Sequence, residues 1–237
     1  MAAQTFSFRS YVAHPTHGPL PGILLLLTIS TGVVDATSIL GLGRVFVANM
    51  TGNIVFIGFA LAGAPGFSLL GSITALAAFL VGAAVGGMMI GRTSHRARLL
   101  RNGLVFQVVC ATLATCVAAV GGGGTAAQVA ILATIALALG VQNAVVRSLA
   151  VPDLTTTVLT LTLTGIAADL RSGEIATALR RLTAVLAMLV GALAGAVLVL
   201  QEGVVAGLIA VVALFVVALV GAALASRSTR PWTARRR

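Results

Sequence analysis

No lysine occurs among the 237 residues, and only five residues are acidic, against fifteen arginines. Charged residues make up 8% of the chain, where soluble domains carry about 25%, and so little charge excludes an ordinary soluble domain. The two cysteines, Cys110 and Cys116, fall six residues apart on different faces of one predicted helix. That spacing makes them packing residues, neither a disulfide nor a metal pair. The three histidines, His14, His17 and His95, lie in a tail and a loop without carboxylate or cysteine companions, and no glycine-rich phosphate loop or G-x-S-x-G occurs. The chain is therefore expected not to be an enzyme and to hold no cofactor and no metal. The net charge of +10 comes from arginine alone. Those arginines sit in short loops and tails, where membrane proteins place them, with no aromatic-interleaved basic patch, which argues against nucleic acid as a partner.

What the chain has in abundance is apolar surface: 59% hydrophobic residues and a mean hydropathy of +1.10. A helical span needs roughly 20 apolar residues, and six runs qualify: 20–42, 69–91, 103–120, 126–146, 182–200 and 203–225. The run at residue 20 is too long for a signal-peptide core and lacks a convincing cleavage site, so it is expected to remain as the first span. Two weaker runs, 45–62 and 153–169, are loaded with asparagine and threonine, the first in the stretch VFVANMTGN. The fold class expected is an all-α polytopic membrane bundle of six full spans plus two short re-entrant or broken segments.

The halves resemble one another. Gly32-Val33-Val34-Asp35-Ala36 matches Gly140-Val141-Gln142-Asn143-Ala144 at an offset of 108, and the stretch from Val81 to Gly86 matches that from Val190 to Gly195 at 109. Chance similarity in an Ala/Val/Leu/Gly-rich chain is the competing account, and GxxxG spacing alone is a helix-packing device. The division expected is a tail at 1–19, one membrane domain at 20–225 (repeats 20–120 and 126–225) and a basic tail at 226–237.

Charge placement chooses between topologies. If all eight segments crossed, four arginines of the 92–101 loop would lie outside, against the positive-inside rule. If both weak segments enter and leave on one face, fourteen arginines fall inside and Arg44 alone outside, with the Gly121–Gly124 turn and Glu202 also outside. Each half then crosses three times, which makes an inverted internal repeat of the kind secondary transporters use.

Non-helical backbone at membrane depth is tolerated only where protein or water covers it. Asn49, Thr51 and Asn53 are thus expected to share a polar seam with Thr155, Thr156, Thr157 and Thr160, the two segments approaching one another. Alternatively, the threonines only bond back to carbonyls of their own helices. Asp35 is the one acid inside a strong span, a placement that costs ~2.5–3.5 kcal/mol on insertion scales. Burial disfavours a charged carboxylate, which makes Asp35 a candidate proton or cation site, with Gln142 and Asn143 as the amides of the second half. The structural alternative is that Asp35 caps a helix broken at Gly32 or hydrogen-bonds the adjoining re-entrant segment. Asp153, after Pro152, reads as a helix cap, Asp169 and Glu174 as interfacial partners of arginines, and Trp232 as an interfacial or solvent-exposed residue of a polybasic tail.

The stretches GVVDATSILGLGRVFVANMTGNIVFIG and ALGVQNAVVRSLAVPDLTTTVLTLTLTGIAADL resemble the two signature regions of the YoaK family, bacterial polytopic membrane proteins classed as a domain of unknown function. The resemblance runs from about Gly22 to Ala225. The matching positions are Gly32, Asp35, Ala36, Phe46, Asn49, Thr51, Gly52 and Asn53, then Gln142, Asn143, Arg147, Thr155, Thr156 and Asp169. It implies a protein of the bacterial cytoplasmic membrane with about six spans and no assigned substrate. The expected function is a small secondary transporter or permease with both termini cytoplasmic, proton-coupled through Asp35, its partners the lipid bilayer and an unknown small solute or ion, with a homodimer plausible. The competing expectation is a membrane scaffold that transports nothing.

Overall fold

A computed structural model describes Tyr11, residues 13–121, 123–152, Leu154, Thr156 and residues 159–234. Among the described residues eight α-helices follow in order: α1 (Leu20–Gly41), α2 (Met50–Leu61), α3 (Leu69–Arg92), α4 (Arg96–Val120), α5 (Thr125–Leu149), α6 (Leu159–Ser172), α7 (Ile175–Glu202) and α8 (Val204–Ala225). Among the described residues there is no strand. Six helices are long and apolar enough to cross a membrane. The other two are not: at 1.5 Å per residue, α2 with 12 residues and α6 with 14 reach about 18 and 21 Å, short of a hydrocarbon core of about 30 Å. The fold is the expected all-α polytopic bundle.

Local chemistry sets the helix ends. Ser68 accepts from the Gly71 N–H at 3.0 Å to start α3, and His95 Nδ1 accepts from the Arg98 N–H at 3.2 Å to start α4. Gly203, at φ +86°, turns α7 directly into α8. Within α1 the hydroxyls of Thr28, Ser30, Thr31 and Thr37 donate to the carbonyls one turn earlier at 2.7–3.0 Å, so a helix rich in Ser and Thr leaves no hydroxyl hydrogen facing lipid. Helix α1 runs unbroken through Gly32.

Four chain ends converge on one end of the bundle through Arg96, at the start of α4. Its Nη1 donates to the carbonyls of Thr16 and Trp232, both at 3.3 Å, and its Nη2 to His17 Nδ1 at 2.9 Å and to the Leu149 carbonyl. His95 Nε2 donates to the Ser228 carbonyl at 3.1 Å. The starts of α1 and α4 and the ends of α5 and α8 therefore share one face, and α3, separated from α4 by three residues, finishes there too. At the opposite end, Gly41 lies against Val199 and Val204, and Arg44 against Gly66. The segment between α1 and α3, including α2, thus enters and leaves at that opposite end. Its two limbs are joined by stacked rings, Phe46 on Phe56 at 5.4 Å and Phe56 on Phe67 at 5.0 Å. The segment carrying α6 enters and leaves at the Arg96 end.

Lipid tails are as apolar as leucine, so helices in a bilayer gain by close approach of backbones, and glycine permits it. A Cβ on Gly191 would strike the Ile29 carbonyl of α1, and one on Gly82 the Leu137 carbonyl of α5. Gly32 lies against Met188 and Ala192, Gly140 against Phe79 and Ala83. Gly195 meets Val33 and Ala36, and Gly86 meets Val141 and Ala144. Each contact has its twin at the same offset: Leu137 stands 108 residues after Ile29, Val141 108 after Val33, and Met188 109 after Phe79. The numbers climb together on both sides, so α1 runs parallel to α7, and α3 to α5. The remaining pairings follow the same symmetry: α1 on α8 as α5 on α4, α2 on α3 as α6 on α7, with α4 on α8 between the halves. The core lies between α1, α4, α5 and α8, where Leu24, Leu27, Leu104, Leu139 and Phe215 are buried. Leu80 on α3 and Leu189 on α7, related by the same offset, are both exposed.

One expectation fails in the tail. Trp232 is buried, not a solvent-exposed or interfacial residue. Its indole lies over Gly18, whose φ of +56° and missing side chain leave room for the ring, and its carbonyl is held by Arg96.

Candidate functional site

The polar residues of VFVANMTGN build a hairpin before they build a site. Asn53, fully buried, pairs with the Phe46 backbone as a second backbone would: its Oδ1 accepts from the Phe46 N–H at 2.9 Å, and its Nδ2 donates to the Phe46 carbonyl at 2.6 Å. Asn49, exposed, caps α2 by accepting from the Gly52 N–H at 3.4 Å. Gly52 leaves the space that the Phe46 ring fills. Thr51 is exposed.

This hairpin presents the backbone of Ala48 to α1. Asp35, 7% exposed, accepts from the Ala48 N–H at 3.1 Å, so the alternative in which the carboxylate bonds the adjoining segment is the arrangement observed. One turn earlier on the same face of α1, Thr31 is wholly buried. There Gln142 of α5 arrives: its Nε2 donates to Thr31 Oγ1 and to Thr156 Oγ1, each at 3.3 Å. A single amide thus links the first span, the fifth helix and the second short segment. Its Oε1 is buried with no partner among the described residues, and a buried acceptor left unmet is uncommon in a folded protein.

Thr156 sits at φ +61°, in the left-handed region that a β-branched residue adopts only under constraint. Strain of this kind collects at functional sites. The position equivalent to Thr156 in the first half is Ala48, the residue that addresses Asp35.

The expected seam is therefore divided. Asp35, Gln142 and Thr156 come together around Thr31. Asn49, Thr51 and Asn53 turn to their own hairpin or outward, and Thr160 is exposed. No hydrogen bond joins those asparagines to the second segment among the described residues. Thr155, Thr157 and Asp153 lie outside the described residues. Asn143 is half-buried, donates to the Leu139 carbonyl at 3.2 Å, and faces a cavity.

That cavity, about 1040 Å³, opens between α3 and α5 on one side and α6 and α7 on the other, with Asn143, Arg147, Ser148, Thr162 and Arg181 as polar lining and Phe79 and Leu161 among its apolar walls. Arg181 pairs with Asp169 at 3.2 Å, and its guanidinium crosses α6 where Gly165 has no side chain. Equivalent positions in the first half are shut: Asn53 is wholly buried where Leu161 is 74% exposed, and Ser72 is buried where Arg181 enters the cavity. Sequence reasoning missed Thr31 and the Arg147/Arg181 pair. Thr31 was marked only by standing four residues before Asp35, and the arginines were read as loop charges.

The sequence profile of one family, described as a protein of unknown function (DUF1275), matches residues 23–221, both signature stretches included. A curated relative, the UPF0700 transmembrane protein YoaK of Bacillus subtilis (strain 168), is 28% identical over 156 residues, 62% of this chain and 66% of that protein. The matched part thus spans just under two-thirds of that relative's length. No solved structure matches the chain.

Proposed function

This chain belongs to the DUF1275 family, a multi-pass membrane protein of the YoaK kind, and from that premise we propose that it is a small secondary transporter or permease. The observation that carries the reading is the buried seam of Asp35, Thr31, Gln142 and Thr156, which touches both short segments at once. Midplane sites flanked by discontinuous helices at a repeat interface are how such transporters hold their cargo. The asymmetry between a packed first half and a second half open to a cavity supports a state accessible from one face only. Of the described arginines, all but Arg44 belong to the Arg96 end, so by the positive-inside rule that face is cytoplasmic, both termini with it, in the bacterial inner membrane, and the cavity faces inward. Asp35 is the residue proposed to carry the coupling proton.

Purified protein in liposomes with a trapped pH-sensitive dye tests this. Solute-dependent proton entry that disappears in Asp35→Asn is expected. A native protein that moves neither protons nor solute across a broad metabolite panel sinks the transport reading. Reporter fusions that place the connection between α3 and α4 outside the cell sink the orientation.

A scaffold that transports nothing is the second reading, and one observation favours it. Asp35 and Asn53 are both engaged by backbone groups of the adjoining hairpin, which a purely structural role also requires. An enzyme ranks below both, since acid–base chemistry is best served by a positioned acid and base together and the seam holds one titratable group.

A further inference from the structure

We infer that the cavity between the α3–α5 pair and the α6–α7 pair is a binding site for an organic anion, a carboxylate or phosphate carried on a compact apolar body. The inference rests on the transport reading and names the class of its cargo.

The cavity has two characters. Phe79, Ala83, Ile90 and Leu161 give it an apolar wall, and Asn143, Arg147 and Arg181 converge as donors. Its volume of about 1040 Å³ stands at the upper end of small-molecule pockets, which are mostly apolar with a few placed polar groups. The charge count is uneven. Arg181 has Asp169 at 3.2 Å, whereas no carboxylate pairs with Arg147 among the described residues. Arg147 stands in the last turn of α5, one turn beyond Asn143, so both side chains address the same cavity from one helix face. A guanidinium at the mouth of an apolar cavity favours an anion and disfavours a cation by the same interaction, and its planar fork suits the two oxygens of a carboxylate or phosphate. The apolar wall selects against small, fully hydrated ions. Gly165 contributes by omission, since the Arg181 guanidinium occupies the place of its absent Cβ and so reaches across α6 into the cavity.

The test is equilibrium binding, which needs no turnover. The full chain, in nanodiscs of zwitterionic lipid, is melted with acetate, benzoate, inorganic phosphate and benzylammonium, the last being a cation of benzoate's shape. Stabilisation by benzoate at lower concentration than by acetate, and none by benzylammonium, is expected, because a ligand bound only by the folded state raises its melting temperature. Arg147→Gln should weaken benzoate about tenfold or more, the equivalent of one charge-assisted hydrogen bond. Arg147→Lys should weaken it less, and Arg44→Gln, at the other end of the molecule, should leave it unchanged.

Nanodiscs containing phosphatidylglycerol form a second arm. If they already carry the stabilisation, benzoate adds nothing and Arg147→Gln abolishes the gain, then the same site takes its anion from the bilayer as a lipid headgroup. Stabilisation that benzylammonium reproduces, or that survives Arg147→Gln and Arg181→Gln alike, overturns the proposal. So does the absence of stabilisation by every anion in both arms. Benzoate binding without any flux in liposomes would remove the transport reading and leave the site. Flux of a cation without benzoate binding would do the reverse.

Discussion

Gln142 donates its side-chain amide to the hydroxyl of Thr31 at 3.3 Å, although 111 residues separate them. The bond crosses from one half of the chain to the other inside a bilayer that offers no water in exchange. In membrane bundles such bonds average about 0.6 kcal/mol, because the separated helices also find partners. A double-mutant cycle of Thr31→Val and Gln142→Leu in thermal unfolding should therefore show a coupling of about 0.6 kcal/mol. Strict additivity would mean that the two groups do not interact.

Asp35→Asn keeps an oxygen for the Ala48 N–H, and the second half already places Asn143 at the equivalent position. The variant is expected to fold as the native protein does and to lose only proton-coupled flux. Asp35→Leu has no such acceptor and strands a buried N–H, at a cost of about 1–3 kcal/mol. Melting both variants separates the fold requirement from the coupling requirement.

Gly86 and Gly87 are neighbours on α3 with opposite prospects. A Cβ on Gly86 meets Ala144 and Val141 of α5, whereas nothing lies within 4 Å of a Cβ on Gly87. Gly86→Ala should destabilise by about 1–3 kcal/mol through overpacking, while Gly87→Ala should stabilise by about 0.5–1 kcal/mol through helix propensity. Thermal unfolding of the two variants in one detergent reads the difference directly.

Arg96→Met removes the donors that hold the carbonyls of Thr16, Leu149 and Trp232. A loss on the order of 3 kcal/mol is expected, felt first at the bundle end. Trypsin should cut after Arg227 faster than in the native chain, with the spans still protected.

His14 is held below the ordinary imidazole value of 6.5, by burial first and by the charge of Arg180 second. The unfolded segment then binds protons more readily than the docked one. Docking of residues 13–19 is complete above pH 6.5 and weakens as the pH falls through that value. Amide exchange in that segment, corrected for its intrinsic rate, should be faster at low pH, and Arg180→Gln should reduce the effect.

Span positions were legible because a hydrophobic run is a one-dimensional signal. Only helix lengths escaped it: α4 and α7 begin seven residues before their apolar runs, since Arg96–Asn102 and Ile175–Arg181 add helical turns at the arginine-rich end. The asparagines of the first short segment announced that lipid was excluded there, but composition could not distinguish lining a site from closing a hairpin. Asn53 does the second, through a bidentate match to Phe46 that depends on backbone direction. Trp232 was illegible for a similar reason. A lone tryptophan among arginines reads as surface, and its burial depends on Gly18, more than two hundred residues away in sequence.

The parallel pairing of α1 with α7 has a consequence in time. Synthesis proceeds at about 5–20 residues per second, so α1 enters the bilayer roughly 10–30 s before the helix that fills the groove at Gly32. For that interval the first span has lipid against its glycine, and Asp35 has only its own hairpin for company. The newborn first half is thus a client of whatever insertase or chaperone shelters polar helices. A ribosome that stops after residue 120 leaves behind a three-span fragment with an unfilled crossing surface, fit for membrane proteolysis. Supplying the second half as a separate chain should rescue it.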